Sequence, residues 1–251
     1  MIASVGILVS FYSCSKEDTK VGDDTVSGTV NLKFENFVGN ELLSLSSSDN
    51  HYVNTNGDSF SVNMYKYYIS NIRFVKADAS EYHDESNCFL IDAAEPVSLN
   101  RFISKVPAGT YTAVKLLLGI DSTRNVSGAQ SGDLDPMYGM FWAWSTGYIM
   151  AKVEGRFTND QGVNTPMSFH LGGFSGKYSV LKEVTIPLPQ DLKIADQTTS
   201  TITFKSDVLK WFEAPILISF NNLSNVGAAG EDAANIANNY KNAFSITAVQ
   251  N

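Results

Sequence analysis

The sequence predicts an all-β protein, a β-sandwich or flattened barrel of mostly antiparallel strands with long loops and a short C-terminal helix. Three observations carry this prediction. Apolar and polar residues alternate with the strand period of two in short stretches along the whole chain, as in Val30, Leu32 and Phe34 against Asn31, Lys33 and Glu35. Turn chemistry separates these stretches at residues 54–58, at Pro107-Ala108-Gly109 and at Asn159-Asp160-Gln161-Gly162. Helical spacing is confined to residues 207–212, one or two turns at most, and to residues 231–242, where alanines recur with Ile236 and Tyr240.

Taken in order, the chain opens with an apolar stretch, residues 1–12, too short to span a bilayer as a mature helix. It stops at Ser13-Cys14-Ser15 and the charged run Lys16-Glu17-Asp18, the pattern of a lipoprotein signal segment ending at Cys14. On this reading Cys14 carries the lipid, residues 15–25 are a polar, acidic tether, and residues 26–251 form the β domain. The alternative is a short, simply cleaved secretory peptide, and both readings send the chain out of the cytoplasm. With Cys14 lipidated, Cys88 is the one remaining thiol, so no internal disulfide is available. Its setting in Cys88-Phe89-Leu90-Ile91 marks it as a buried, inert thiol.

After the strand at Val30 to Phe34, alternation returns at Phe60, Val62 and Met64 and at Ile149, Ala151 and Val153 against Lys152 and Glu154. It recurs at Val184, Ile186 and Leu188 and at Ile202 and Phe204. Residues 113–120 are apolar with little alternation and predict a strand covered on both faces. Residues 121–138 are polar, with Gly128, Gly132 and Pro136, and predict a large loop in which Asp133 and Asp135 act as turn and capping residues. A net charge of −8 without a basic cluster excludes nucleic acid as a partner.

That loop leads into residues 139–148, which hold the pair Trp142-Ala143-Trp144 and then Tyr148. Residues two apart on a strand share a face at roughly 6.5 to 7 Å, so the two indoles form one aromatic surface that can bind a ring or pass an electron hole. The ordinary role of such aromatics is to fill a core. Of the three histidines, His170 sits in Phe169-His170-Leu171-Gly172-Gly173, beside a glycine pair that permits close backbone approach. His51 begins a strand-like stretch, and His83 lies in a solvated loop with no assigned role. Met140 and Met137 flank the tryptophans and carry the soft sulfur that selects cuprous copper, although core filling is the commoner use of methionine.

An ordered set of words resembles the MbnP-like family of copper-binding proteins. The words are residues 66–72 (Lys-Tyr-Tyr-Ile-Ser-Asn-Ile), residues 106–111 (Val-Pro-Ala-Gly-Thr-Tyr), residues 119–125 (Gly-Ile-Asp-Ser-Thr-Arg-Asn), Gly132-Asp133-Leu134-Asp135-Pro136, the Trp-x-Trp segment and the His170 word. The resemblance runs from about Val30 to Phe212. It implies an extracytoplasmic copper-binding lipoprotein, facing the periplasm or held at the outer membrane, that takes part in copper acquisition or handling. By resemblance His170 is a copper ligand; His51, from its place at a strand start, and Met140, from its thioether, are the further candidates that the residues themselves offer. The resemblance also implies that a tryptophan, Trp142 or Trp144, is oxidised to kynurenine by a di-haem cytochrome c peroxidase of the MauG type, with Tyr148 near the path of the hole. The oxidation has a chemical point, because indole offers one N–H donor and no good metal lone pair, whereas kynurenine gains an amine and a ketone oxygen.

No motif of catalysis is present: no Gly-x-Ser-x-Gly elbow, no His-Glu-x-x-His pair and no phosphate-cradling loop, so an enzyme is not expected. The rival function is a surface glycan-binding or adhesive lipoprotein, in which Trp142, Trp144 and Tyr148 would stack on sugar rings. Exposure separates the two. A flat, solvent-facing indole pair fits sugar, and indoles tucked beside His170 fit copper.

Overall fold

A computed structural model describes residues 26–46, 50–142, 144 and 147–251, so the expected lipid-bearing Cys14 and its tether lie outside the described residues. The strands β1 (Ser27–Val38), β2 (Glu41–Leu42), β3 (Tyr52–Val53), β4 (Ser59–Val75), β5 (Glu81–His83) and β6 (Cys88–Asp92) come first. They are followed by β7 (Asn100–Pro107), β8 (Gly109–Leu118), helix α1 (Ser122–Val126), β9 (Phe141–Trp142) and β10 (Gly147–Thr158). Then come β11 (Asn164–Gly172), β12 (Lys182–Ile194), β13 (Thr199–Asp207), α2 (Lys210–Glu213), β14 (Asn225–Val226), α3 (Glu231–Tyr240) and β15 (Phe244–Gln250). The strands build two facing sheets that do not close into a barrel, so the sandwich is the form adopted.

In the smaller sheet β1 lies between β13 and β7, with β15 beyond β13 and β2 at the end of β1. The alternation of β1 has its expected consequence: Val30, Leu32 and Phe34 are buried while Lys33 is exposed. β1 runs parallel to β13, and Phe34 stacks on its register partner Phe204 at 5.1 Å. β11 and β14 are also parallel, and the other paired strands are antiparallel.

The larger sheet is organised around β4, which has β10 and then β8 along one side and β3, β6 and β5 along the other. Tyr65 and Tyr67 of β4 face the smaller sheet. Their phenols meet Ser206 Oγ at 2.6 Å and donate to Asn36 Oδ1 at 3.0 Å, which satisfies the polar end of each buried ring. Burial pushes both phenols far above the ordinary tyrosine range. At Gly155 a bulge brings β10 so near β4 that an added Cβ would lie 1.9 Å from Ser61 O.

Three expectations are adjusted. Residues 113–120 have one fully covered face, with Val114, Leu116 and Leu118 buried, while Lys115 on the other face pairs with Glu183 at 3.0 Å. Residues 121–138 are a loop built on α1 and two short 3-10 turns rather than on irregular chain. The late helix is α3, but β15 follows it and pairs with β13. Ile236, Ala237 and Tyr240 of α3 close one end of the core, where Tyr240 packs on Trp211 at 4.6 Å. Among the described residues no helix is long and apolar enough to cross a membrane.

Candidate functional site

The site lies on the outer face of the larger sheet, beneath the loop of residues 121–138. Directly opposed residues of neighbouring strands share a face. The register therefore places Asp92 of β6, Lys66 of β4, Lys152 of β10 and His170 of β11 in one row across four strands. The inner face of the same strands carries Tyr65, Val153 and Phe169, all fully buried. This is a polar row across the outer face of the sheet, and the loop keeps much of it from water.

Side chains of the sheet hold that loop down. Asp121 caps α1 by accepting from Arg124 N, and the Arg124 guanidinium donates to Asn71 Oδ1 at 2.9 Å. Asn125 Oδ1 accepts from Tyr148 N at 3.0 Å. Asp133 accepts from Leu90 N at 2.9 Å and pairs with Arg101 at 3.1 Å, so it tethers the loop to β6 rather than only turning it. Asp135 caps the following turn by accepting from Met137 N. The Tyr148 hydroxyl donates to Leu134 O at 2.7 Å and accepts from Gln130 N at 3.1 Å. Tyr148 is thus a fully buried anchor, edge-on to Phe141 and Tyr68. Lys66 and Lys152 finish the clasp by donating to Tyr138 O at 3.3 Å and Gly139 O at 2.6 Å.

The tryptophans sit at the end of this loop and divide into an inner and an outer ring. Trp142 is buried, at 8% exposure, and Trp144 is 69% exposed, with ring centroids 5.5 Å apart and planes inclined by 38°. Trp142 rests on Gly172, where a Cβ would lie 2.2 Å from its Cζ3. Gly172 follows His170 by two residues on β11, hence on the same face and about 7 Å along the strand. The glycine is a notch for the indole, and the notch sets the ring one pleat from the imidazole.

His170 Nε2 lies 2.7 Å from Glu154 Oε1 and 3.1 Å from Ser168 Oγ. A carboxylate only accepts, so Nε2 carries the proton and Nδ1 the lone pair. Glu154 and Ser168 share one ring nitrogen, whereas a proton relay to serine needs them on opposite nitrogens. Burial lowers the His170 pKa below 6.5, the Lys152 ammonium adds to the lowering, and Glu154 opposes it. Burial also lowers Lys152, with Glu154 raising it and Lys66 lowering it. The imidazole is therefore neutral near neutral pH, the form that can bind a metal.

An NMR titration of the His170 ring should give a midpoint below 6.5. The unfolded chain then binds this proton more readily. The contribution of His170 to stability is complete above about 6.5 and is lost as the pH falls through the folded-state value. A midpoint above 6.5 would mean that burial and Lys152 do not govern the ring.

The remaining candidates stand elsewhere. His51 is exposed beside Tyr52 of β3, whose partner on β4 is Phe60. Phe60 is six residues from Lys66 of the polar row, roughly 20 Å along the strand, so His51 and His170 do not share a site. Met140 is fully buried in the apolar core, and Met137 is 79% exposed. Cys88 is half-buried, and burial pushes its thiol up to about 12, which makes it unreactive. Among the described residues no three His, Cys, Asp or Glu side chains converge as a ready metal cluster. The close approach expected at the Gly172-Gly173 pair is the seat of Trp142 on Gly172, whereas Glu154 and Lys152 were not expected at the site. In the sequence Lys152 and Glu154 appear only as the polar half of an alternating strand, which marks a face but not whether that face is wet.

A protein-family model described as MbnP matches residues 27–234. A solved structure, MbnP from Methylosinus trichosporium, is similar over 81% of this chain and 82% of that chain, at 13% identity and a TM-score of 0.45. No curated protein matches the chain.

Proposed function

The chain belongs to the MbnP family, and from that premise we propose that it is an extracytoplasmic copper-binding protein that carries or scavenges the metal and is not a catalyst. The observation that supports this most directly is the seating of Trp142 on Gly172, one pleat from a neutral His170 whose ring is held by Glu154. The donor set fits a soft ion of low coordination number. His170 Nδ1 supplies one imidazole ligand, with its other nitrogen fixed by a carboxylate as is usual for metal-binding histidines. Trp142 supplies an aromatic face that can take a cation, and after oxidation to kynurenine it would supply an amine and a ketone oxygen. Of the two indoles Trp142 is the one seated on Gly172, two residues from His170 along β11. Trp144, exposed and tilted against it, is the natural point of entry for an oxidising hole from a di-haem cytochrome c peroxidase of the MauG type. A lipid on Cys14 and a place in the periplasm or at the outer membrane complete the reading.

Metal analysis and intact mass of protein isolated from its native host test this reading, because oxidation of Trp142 changes the mass and needs the partner enzyme. His170→Ala is expected to weaken copper binding at least about tenfold, on the scale seen when the groups supporting a metal site are lost. Unmodified tryptophans with no copper above background would overturn the proposal. One observation, the exposed Trp144, favours a glycan-binding surface instead. That reading would gain from sugar-dependent quenching of its fluorescence.

A further inference from the structure

The polar row contains a cation that the reading above leaves without a task. Lys152 is 7% exposed and stands directly opposite His170 in the strand register. Glu154 Oε1 touches both, 2.7 Å from His170 Nε2 and 3.9 Å from Lys152 Nζ. The ammonium cannot swing into solvent, because it donates to Gly139 O at 2.6 Å beneath the loop. The next residue in the row, Lys66, adds a second ammonium, paired with Asp92 at 2.8 Å.

We infer that Lys152 is a specificity-determining residue of the His170 site and makes that site favour a monovalent cation over a divalent one. The inference rests on the copper-binding reading and adds to it which charge state of metal the site accepts. The charged groups facing the site are Lys152 and Glu154 of β10, Lys66 of β4 and Asp92 of β6, two cations against two carboxylates. Asp92 is engaged by Lys66, and Glu154 is engaged by the imidazole. No excess of negative charge therefore greets an incoming ion, and the described residues offer no cluster of the kind that holds zinc. Repulsion from a fixed ammonium scales with the charge of the ion, so a divalent ion meets twice the penalty of a monovalent one.

The test is a pair of competition titrations, Cu(I) and Zn(II), each against a chromophoric chelator, with intact mass recorded for every sample. Lys152→Gln removes the charge and keeps a donor for Gly139 O, whereas Lys152→Arg keeps the charge. The ratio of Zn(II) to Cu(I) affinity should rise on the order of tenfold in Lys152→Gln and stay unchanged in Lys152→Arg. An unchanged ratio in Lys152→Gln, or an equal change in both variants, overturns the inference, the second outcome showing an effect of shape rather than charge. If Lys152→Gln fails to fold, Lys66→Gln, one strand farther away, should raise the ratio about threefold, and no rise there would count equally against it. A wild-type protein that binds no Cu(I) removes the copper reading itself. Cu(I) binding with an unmoved ratio removes only the role of Lys152.

Discussion

Gly155→Ala is expected to be the most damaging single methyl group that can be added to this protein, lowering stability by about 4 kcal/mol and the melting temperature by roughly 8 to 16 °C. The new Cβ would lie 1.9 Å from Ser61 O and 2.9 Å from Ser61 C, both backbone atoms of the paired strand. The third neighbour, Met167 Cε at 3.0 Å, ends a flexible side chain and can yield. A carbonyl engaged in a β-ladder yields only if β10 and β4 part, and those strands form the middle of the larger sheet. Gly227→Ala is the control, since its Cβ would meet nothing nearer than Asn225 Oδ1 at 3.6 Å. It should fall within about 0.5 kcal/mol of the parent. Thermal unfolding of the two variants side by side decides the matter, and melting points within a few degrees of each other would refute the close approach at the bulge.

The second large effect is expected at Gly172→Ala, which fills the notch under Trp142. With Cζ3 at 2.2 Å and Cη2 at 2.8 Å from the new Cβ, the indole must leave its seat. The loss should be about 2 to 3 kcal/mol, less than at Gly155 because a side chain can move where a backbone cannot. The specific sign is optical. Trp211 is fully buried and Trp144 already exposed, so Trp142 is the ring whose environment changes. Emission should shift to the red, and quenching by acrylamide should increase. Copper binding should fall with it. A variant with the parental spectrum would show that Trp142 is not held by Gly172.

Much of the sandwich was legible because its causes are local. The alternation of Val30, Leu32 and Phe34 is the burial pattern of β1, and the helical spacing of Ile236, Ala237 and Tyr240 is the buried face of α3. The capping role of Asp135 also follows from its own neighbours. What escaped depends on partners far away in the chain. Nothing near Asp133 announces Arg101 or Leu90, and nothing near Lys152 announces that Gly139 O will cover it. Strand period assigns Lys152 and Glu154 to a polar face, but only the loop laid over that face turns them into buried neighbours of His170. His51 shows the opposite error of scale: composition made it the next available imidazole, and sheet geometry carries it to the far end of β4.

The parallel pairing of β1 with β13 bears on the order in which the protein can assemble. Gly39 N, at the end of β1, finds its acceptor in Asp207 Oδ1, 168 residues away. Synthesis delivers β1 first, and one whole edge of it stays without a mate until nearly all of the chain has emerged. β7 arrives earlier and can form a hairpin-like partial sheet with β1, yet Phe34 has no Phe204 to stack on until the final third of the sequence is available. Closing so long a loop costs chain entropy before any contact repays it, which places this domain among slow, late-committing folders. A half-made chain would meanwhile present Val30, Leu32 and Phe34 on an open strand edge, the kind of surface that recruits a second copy. If the chain is exported, as proposed above, that delay is also an advantage, since a sandwich unable to close before its last strands arrive remains threadable through a translocation channel.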